Sequence, residues 1–418
     1  MSCGRFFAEP ANLAGGDERV LLTGGCGLYT FPSHNDMTAK LKPVVGRPKA
    51  YLKVRQGNVR TALQELKLDA MLLTHPPDVS YLSDFSGDDS IGLLTRKDFY
   101  LVTDSRYSEQ AQIEAGWLRI VVRDGKMAAA LAKTVVTAKS PRRIGFEANF
   151  TTVGQIDGLV QALKEINTSP VELVPLDNVM TSIRQVKDDR EVEMTRQAVA
   201  CAQEAYEAIL PEIKVGQSEA YIAGLLIFEM RSRGASDASF PAIVAAGANS
   251  SQPHYRTGMT ETLIQRDQPF LIDWGAMVKG YCSDLTRTLM IGRVSPRMKR
   301  IYQVVLEAQQ EAIAFLRPGV TNVEADRVAR NVIDKAGFKE YFGHGLGHGI
   351  GRAIHELPQL GRQAKPEELR PGMIVTVEPG IYLPGEGGVR IEDDLLITHS
   401  GCEVLSSLDK SFEGCHLE

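Results

Sequence analysis

The chain has 418 residues, 43% of them hydrophobic and 24% charged, with a formal net charge of −5. That length predicts two domains, and the composition is that of an ordinary soluble globular protein. It offers no basic field for nucleic acid, and no apolar run approaches the length of a membrane span.

Residues 1–50 are rich in Gly, Pro and short polar runs, and Met37 stands just before organised sequence begins. They are expected to be an extension, either flexible or reflecting a start site placed too early. No basic segment followed by an apolar stretch opens the chain, so a secretory signal is not expected. Cys3, Cys26, Cys201, Cys282, Cys402 and Cys415 are scattered without a CxxC pair. That pattern predicts a reduced, cytoplasmic protein.

Residues 55–67 read as a helix with Val59, Leu63 and Leu66 on one face. Ala70-Met71-Leu72-Leu73 reads as a strand, and Pro76-Pro77-Asp78 opens a turn into a short helix around Val79–Leu82. Strands at 91–95 and 99–102 follow, then strand 119–123, helix 126–138, strand 143–147, helix 152–164 and strand 171–174. This alternation predicts a small α/β domain, assigned to residues 51–187. Val186-Lys187-Asp188-Asp189-Arg190-Glu191 reads as a charged linker into a long helix, about 188–212. Val192, Val199, Tyr206 and Leu210 give that helix its buried stripe. A second domain, residues 188–418, begins with it.

The second domain carries an internal repeat. One helix is expected between Gly216 and Gly234 and another between Gly319 and Gly337, 18 positions apart in each case. Ser218 and Thr321 are the expected N-caps, and Thr321 with Glu324 makes a capping box. Each helix is followed by a hairpin bearing carboxylates. In the first, strands 269–276 and 282–290 flank the turn 277–280 and set Asp273 opposite Asp284. In the second, strands 373–382 and 389–397 set Glu378 opposite Glu392. Two such halves would meet at a pseudo-twofold axis, with the four carboxylates converging.

Between these hairpins runs Phe342-Gly-His344-Gly-Leu-Gly-His348-Gly-Ile-Gly-Arg-Ala-Ile-His355, which holds three of the eight histidines. Glycine lets backbone and imidazole approach a bound group closely. A single Asp in a strand is usually an edge residue or a satisfied hydrogen-bond partner, and a glycine-rich loop is often structural. Four carboxylates in apolar strands are different, because buried charge must be paired or metal-bound. Arg287 and Arg390 are the obvious local cations, too few for four carboxylates. Two divalent metals would neutralise the set, with His348 completing it. Oxygen-rich ligands favour Mn²⁺ and admit Co²⁺, Fe²⁺ or Zn²⁺. The chemistry expected is attack by a hydroxide bridging the two metals on a polarised carbonyl. The glycine run lacks the Lys-Ser/Thr of a P-loop, so phosphate binding is not expected. His34, His75, His399 and His416 read as surface or turn residues, and Cys282 as a buried strand thiol.

The segments IDWGA, KGYCSDLTRT, GHGLGHGIG, TVEPGIY and GVRIEDD resemble the pita-bread metallopeptidase family. That family includes Xaa-Pro aminopeptidases, prolidases and, more distantly, methionine aminopeptidases. The resemblance covers roughly residues 53–405, including Asp104-Ser105-Arg106-Tyr107 in the N-terminal part. It implies an α/β N-terminal domain and an α+β pita-bread, creatinase/aminopeptidase-like catalytic domain with pseudo-twofold halves. It implies Asp273, Asp284, His348, Glu378 and Glu392 as ligands of two metals, which argues against the metal-free creatinase branch. By the same likeness Glu378 takes the proton of the attacking water. His254 stabilises the tetrahedral intermediate or donates to the leaving group, and His355 binds the substrate carbonyl. His344 lines the proline pocket, and Arg390 orients ligands from behind them. The substrate implied is a small peptide with proline at its second position, and the assembly implied is a homodimer. Two alternatives remain at this point: a non-peptidase such as a lyase using the same metal site, and a binding protein that keeps the fold without catalysis.

Overall fold

The computed structural model describes residues 49–139, 141–166 and 169–417. The extension expected over residues 1–50 therefore lies outside the described residues, except for Lys49 and Ala50. The first helix, Ala50–Glu65, starts earlier than its apolar pattern suggests. Its first turn is secured by polar contacts that a hydrophobic pattern does not register: Lys49 and Tyr51 both hydrogen-bond Asp84.

The N-terminal part is a six-stranded mixed sheet with helices on both faces. Its strands run, edge to edge, Arg119–Arg123, Phe99–Asp104, Ile91–Thr95, Ala70–Leu73, Arg143–Glu147 and Glu172–Leu176. Ala70–Leu73 and Ile91–Thr95 are buried along their whole length. That is why they read as continuous apolar runs and not as alternating ones. Val59 and Leu63 of the first helix pack on one face of the sheet. Helices Met127–Thr137 and Val153–Glu165 cover the other through Leu131, Val135, Leu159 and Leu163.

The rest of the chain repeats one plan twice. Helices Asp189–Ile209 and Glu219–Ser232 precede a sheet built on Gln268–Trp274 and Leu285–Ile291. Helices Pro296–Phe315 and Asn322–Lys335 precede a sheet built on Ile374–Val377 and Asp393–Ile397. Ser218 Oγ accepts the N–H of Tyr221, and Thr321 with Glu324 forms a complete capping box. Gly216, Gly234, Gly319 and Gly337 all take positive φ, which ends the flanking turns where the sequence predicts. One apolar core spans both halves, from Trp274 and Tyr206 to Val377 and Leu395. The long helix Pro296–Phe315 is unassigned in the sequence reading; Ile301, Val305, Ala308 and Ala312 supply its buried stripe. Among the described residues no helix is long and apolar enough to cross a membrane.

Two expectations are corrected. In the first hairpin Asp273 stands opposite Thr286, not Asp284. Val278 pairs with Tyr281, so the turn is the two residues Lys279 and Gly280, with φ of 52° and 77°. Reading it as four residues shifts the register by two. Asp273 and Asp284 are therefore diagonal neighbours on one face. The second hairpin keeps a single register, with Val377 opposite Asp393 and Gly380 opposite Arg390, which leaves Glu378 facing Glu392. The stretch 186–191 is not a solvated linker either: Lys187 and Glu191 are buried. Lys187 pairs with Glu356, and Arg55 with Asp188 and Glu191. Charges that look exposed in sequence are here the packing between the N-terminal sheet and the repeated halves.

Candidate metal centre and active site

The expected residues come from separate elements. Asp273 lies in strand Gln268–Trp274, and Asp284 immediately precedes Leu285–Ile291. Glu378 follows Ile374–Val377, and Glu392 precedes Asp393–Ile397. His348 is the middle residue of Gly347–Gly349. All five line one cavity of about 740 Å³, together with His254, His344, His355 and Arg390. The two halves touch at this point through a bridge between Thr286 and Glu392.

Asp284, His348 and Glu392 each offer a donor atom, and the three lie within 4.8 Å of one another. His348 Nε2 is 3.6 Å from Asp284 Oδ2 and 3.5 Å from Glu378 Oε1. Asp273 stands outside this trio: Arg390 Nη2 donates to its Oδ2, and its buried Oδ1 has no partner among the described residues. Thr286 Oγ1 donates to Glu392 Oε2 at 2.6 Å, and Thr376 Oγ1 to Glu378 Oε1 at 3.2 Å. The backbone N–H of Asp284 donates to Asp394 Oδ2 at 2.9 Å. Arg287 is not a counter-charge for the four carboxylates. It is buried against Asp393 at 2.7 Å and backbone carbonyls including that of Leu408.

These carboxyls are pushed above the usual carboxylate range. Burial pushes Asp284 and Glu392 well up, and their carboxylate neighbours push them further. Glu378 rises to about 8, again chiefly through burial. Asp273 rises as well, although Arg390 opposes it. Burial lowers His348 to about 4, so its imidazole is neutral at pH 7. Its Nδ1 donates to the Gly349 carbonyl at 3.0 Å, which aims Nε2 at the carboxylates. Four oxygen donors that repel one another, one neutral nitrogen and an orphaned buried Asp273 oxygen fit divalent cations.

Around this cluster the cavity has two kinds of wall. His254 and His355 are exposed on it, and His355 packs edge-on against His348 at 4.4 Å. Phe240, Pro241, Ile243 and Ile354 make an apolar side. His344 is fully engaged. Its Nδ1 donates to the Gly345 carbonyl at 2.8 Å, and its Nε2 accepts from Tyr382 at 2.9 Å. Arg390 Nη1 in turn donates to the Tyr382 hydroxyl at 2.9 Å. His344 thus presents its ring to the cavity, not a free nitrogen. Sequence reasoning missed Tyr382, Thr286, Thr376 and Asp394 as members of the site. Tyr382 was findable, since it closes the same TVEPGIY segment that supplies Glu378.

The alternating glycines serve the backbone more than a bound group. A Cβ on Gly347 would lie 2.2 Å from the Thr376 carbonyl, and one on Gly349 would lie 2.0 Å from that of Leu357. They let the His348 strand pack between its two neighbours. Of the remaining histidines, His34 lies outside the described residues and His399 is exposed. His416 Nε2 hydrogen-bonds the Gly292 carbonyl at 2.6 Å. His75 is more than a turn residue: it stacks on Phe150 at 3.9 Å and lies 3.4 Å from Asp78. Cys282 is buried, and burial raises its thiol to about 12, which leaves it inert.

Residues 193–399 match the model of metallopeptidase family M24, and residues 55–186 match the creatinase/prolidase N-terminal domain. An uncharacterized peptidase of Bacillus subtilis is 38% identical over 352 residues, covering 84% of this chain and 97% of its own. The chain belongs to metallopeptidase family M24. Solved M24-like structures superpose closely. A Xaa-Pro dipeptidase from Bacillus anthracis has a TM-score of 0.81 at 37% identity, over 88% of this chain and all of its own. An X-Pro aminopeptidase from Thermotoga maritima has a TM-score of 0.76 at 33% identity, over 85% of this chain and 99% of its own. The fold is thus the pita-bread catalytic domain of M24 peptidases behind a creatinase-type N-terminal domain. This M24 protein is a metal-dependent peptidase.

Proposed function

We propose that this peptidase hydrolyses the Xaa-Pro bond, in dipeptides or at the N-terminus of longer peptides. It does so with two divalent ions held by Asp273, Asp284, His348, Glu378 and Glu392, Mn²⁺ ahead of Co²⁺, Fe²⁺ or Zn²⁺. The observation that carries the reading is the convergence of four mutually repelling carboxylates and one neutral imidazole on a cavity with exposed histidines. The named activities of the solved relatives supply the bond. When bound, divalent ions there would supply a water of lowered pKa and polarise a carbonyl.

The protein's own groups do the rest. Glu378, held at Oε1 by Thr376, takes the proton of the attacking water and returns it to the leaving nitrogen. That nitrogen belongs to proline, carries no N–H and sits on a ring that fixes φ, and like any peptide nitrogen it departs only once protonated. His355 hydrogen-bonds the substrate carbonyl. His254 stabilises the tetrahedral intermediate or helps protonate the leaving group. The ring of His344 and the apolar wall receive proline, and Arg390 fixes Asp273 and, through Tyr382, His344.

The same reading divides the chain into an extension over 1–50, an N-terminal domain over 51–187 and a catalytic domain over 188–418. It makes the protein a cytoplasmic homodimer. The free thiols of Cys201, Cys282, Cys402 and Cys415 support a reducing compartment. Tyr221 and Phe228 on helix Glu219–Ser232, with Met259 and Leu263, are large apolar side chains left exposed, which supports self-association. A lyase or other non-peptidase reaction is not favoured, because the relatives compared are peptidases.

Product mass spectrometry of the Mn²⁺-loaded enzyme, given Ala-Pro and a longer Ala-Pro-headed peptide together, tests the reading. Alanine released from either supports it, and which one is cut separates dipeptidase from aminopeptidase. No release from either, with two metals bound, overturns it.

A further inference from the structure

His355 has an unusual support. Its imidazole makes no hydrogen bond among the described residues, so nothing but packing and its own backbone places it. That backbone is pinned on both sides by the N-terminal part of the chain. Before it, Arg352 donates to Ser80 Oγ at 2.6 Å and to the Tyr281 hydroxyl at 3.2 Å, and lies 3.7 Å from Asp84. After it, Glu356 is fully buried. Glu356 accepts from the Ala353 N–H at 3.0 Å, from Lys187 Nζ at 3.1 Å and from Arg184 Nη2. Arg184 also donates to Asp78 Oδ1 at 2.6 Å. Ser80 and Asp78 belong to the same helix, Pro76–Ser83. One helix of the N-terminal sheet therefore holds both ends of the segment 352–356.

We propose that Glu356, gripped by Arg184 and Lys187, is a positioning residue for His355, so that the N-terminal domain sets the imidazole over the metal centre. It acts through His355 and touches neither substrate nor metal. The inference rests on the reading of His355 as a substrate-facing group. A loosened anchor lets the ring drift, and a displacement of the order of 1 Å at a reacting centre costs up to about 100-fold.

A double-mutant cycle tests this on the full-length Mn²⁺-loaded enzyme with Ala-Pro as probe. Glu356→Gln should lower kcat/KM roughly 10- to 100-fold, and Lys187→Met should lower it less. Metal content by mass spectrometry should stay at the wild-type value in both. In a His355→Ala background neither change should cost anything further. Equal losses in the two backgrounds, or loss of metal, would overturn the proposal by showing a role that does not pass through His355. Should Glu356→Gln fail to fold, the Lys187→Met cycle decides alone by the same criterion. A His355→Ala enzyme with wild-type kcat/KM would instead remove the premise about His355, and the proposal with it.

Discussion

Around Glu356 the protein buries two carboxylates, Asp78 and Glu356, against two cations, Arg184 and Lys187. In the cavity it gathers Asp273, Asp284, Glu378 and Glu392, and of these Arg390 pairs with Asp273. The first cluster is balanced within the chain. Burial alone would raise the Glu356 carboxyl, yet Arg184 and Lys187 hold it down at about 2. The second is unbalanced, and its carboxyls are driven upward. The same residue types at similar depth thus serve opposite ends. One cluster fastens two parts of the molecule together. The other is left short of positive charge, which protons or cations from outside must supply.

Breaking the unbalanced cluster should cost most in activity. Glu378→Gln is expected to lower kcat by roughly 10²–10⁴-fold, and chelation should abolish turnover until Mn²⁺ is restored. A Glu378→Gln enzyme with full activity would remove proton transfer from that residue. Breaking the balanced cluster should cost most in stability. Glu356→Gln leaves two buried cations short of a partner, and urea unfolding should show a loss of roughly 3–5 kcal/mol. A change within experimental error would mean the cluster fastens nothing.

The pH dependence of Glu356 comes next in size. Its carboxyl titrates lower in the folded state, about 2, than at the ordinary 4.5. Between those values the unfolded chain binds the extra proton. The stability contributed by Glu356 is therefore whole above that window and is lost as pH falls through it, on the order of 3 kcal/mol in all. Unfolding free energies of wild type and Glu356→Gln should converge as pH drops from about 4.5 to 2. Parallel curves would contradict the assignment. The smallest expected effect has the reverse sign. In metal-free protein at high pH, Glu392→Gln should raise stability by about 1 kcal/mol, because it removes one of four repelling charges. A fall comparable to that of Glu356→Gln would erase the distinction between the clusters.

The sequence carries much of this candidate site because carboxylates in apolar strands are rare. Asp273 and Glu378 stand out among apolar strand residues, and the paired helices announce themselves through Gly216, Gly234, Gly319 and Gly337. Register is less visible. It turned on Lys279 and Gly280 making a two-residue turn, which residue types alone do not fix. The balanced cluster was hidden more deeply. Glu356 lies 172 residues from Arg184 and 169 from Lys187, and charged residues in a short connecting stretch look solvated until the fold closes over them. Tyr382 stands in the same segment as Glu378 and could have been singled out there, but its role, relaying Arg390 to His344, shows only in three dimensions.

The most direct test of the central claim is native mass spectrometry of the full chain after exposure to Mn²⁺ and removal of excess metal. The unbalanced cluster predicts two ions per chain in the wild type, fewer in Glu392→Gln, and an unchanged two in Glu356→Gln. A wild-type chain that cleaves Ala-Pro with no bound metal, or a Glu392→Gln chain that still holds both ions, would contradict it.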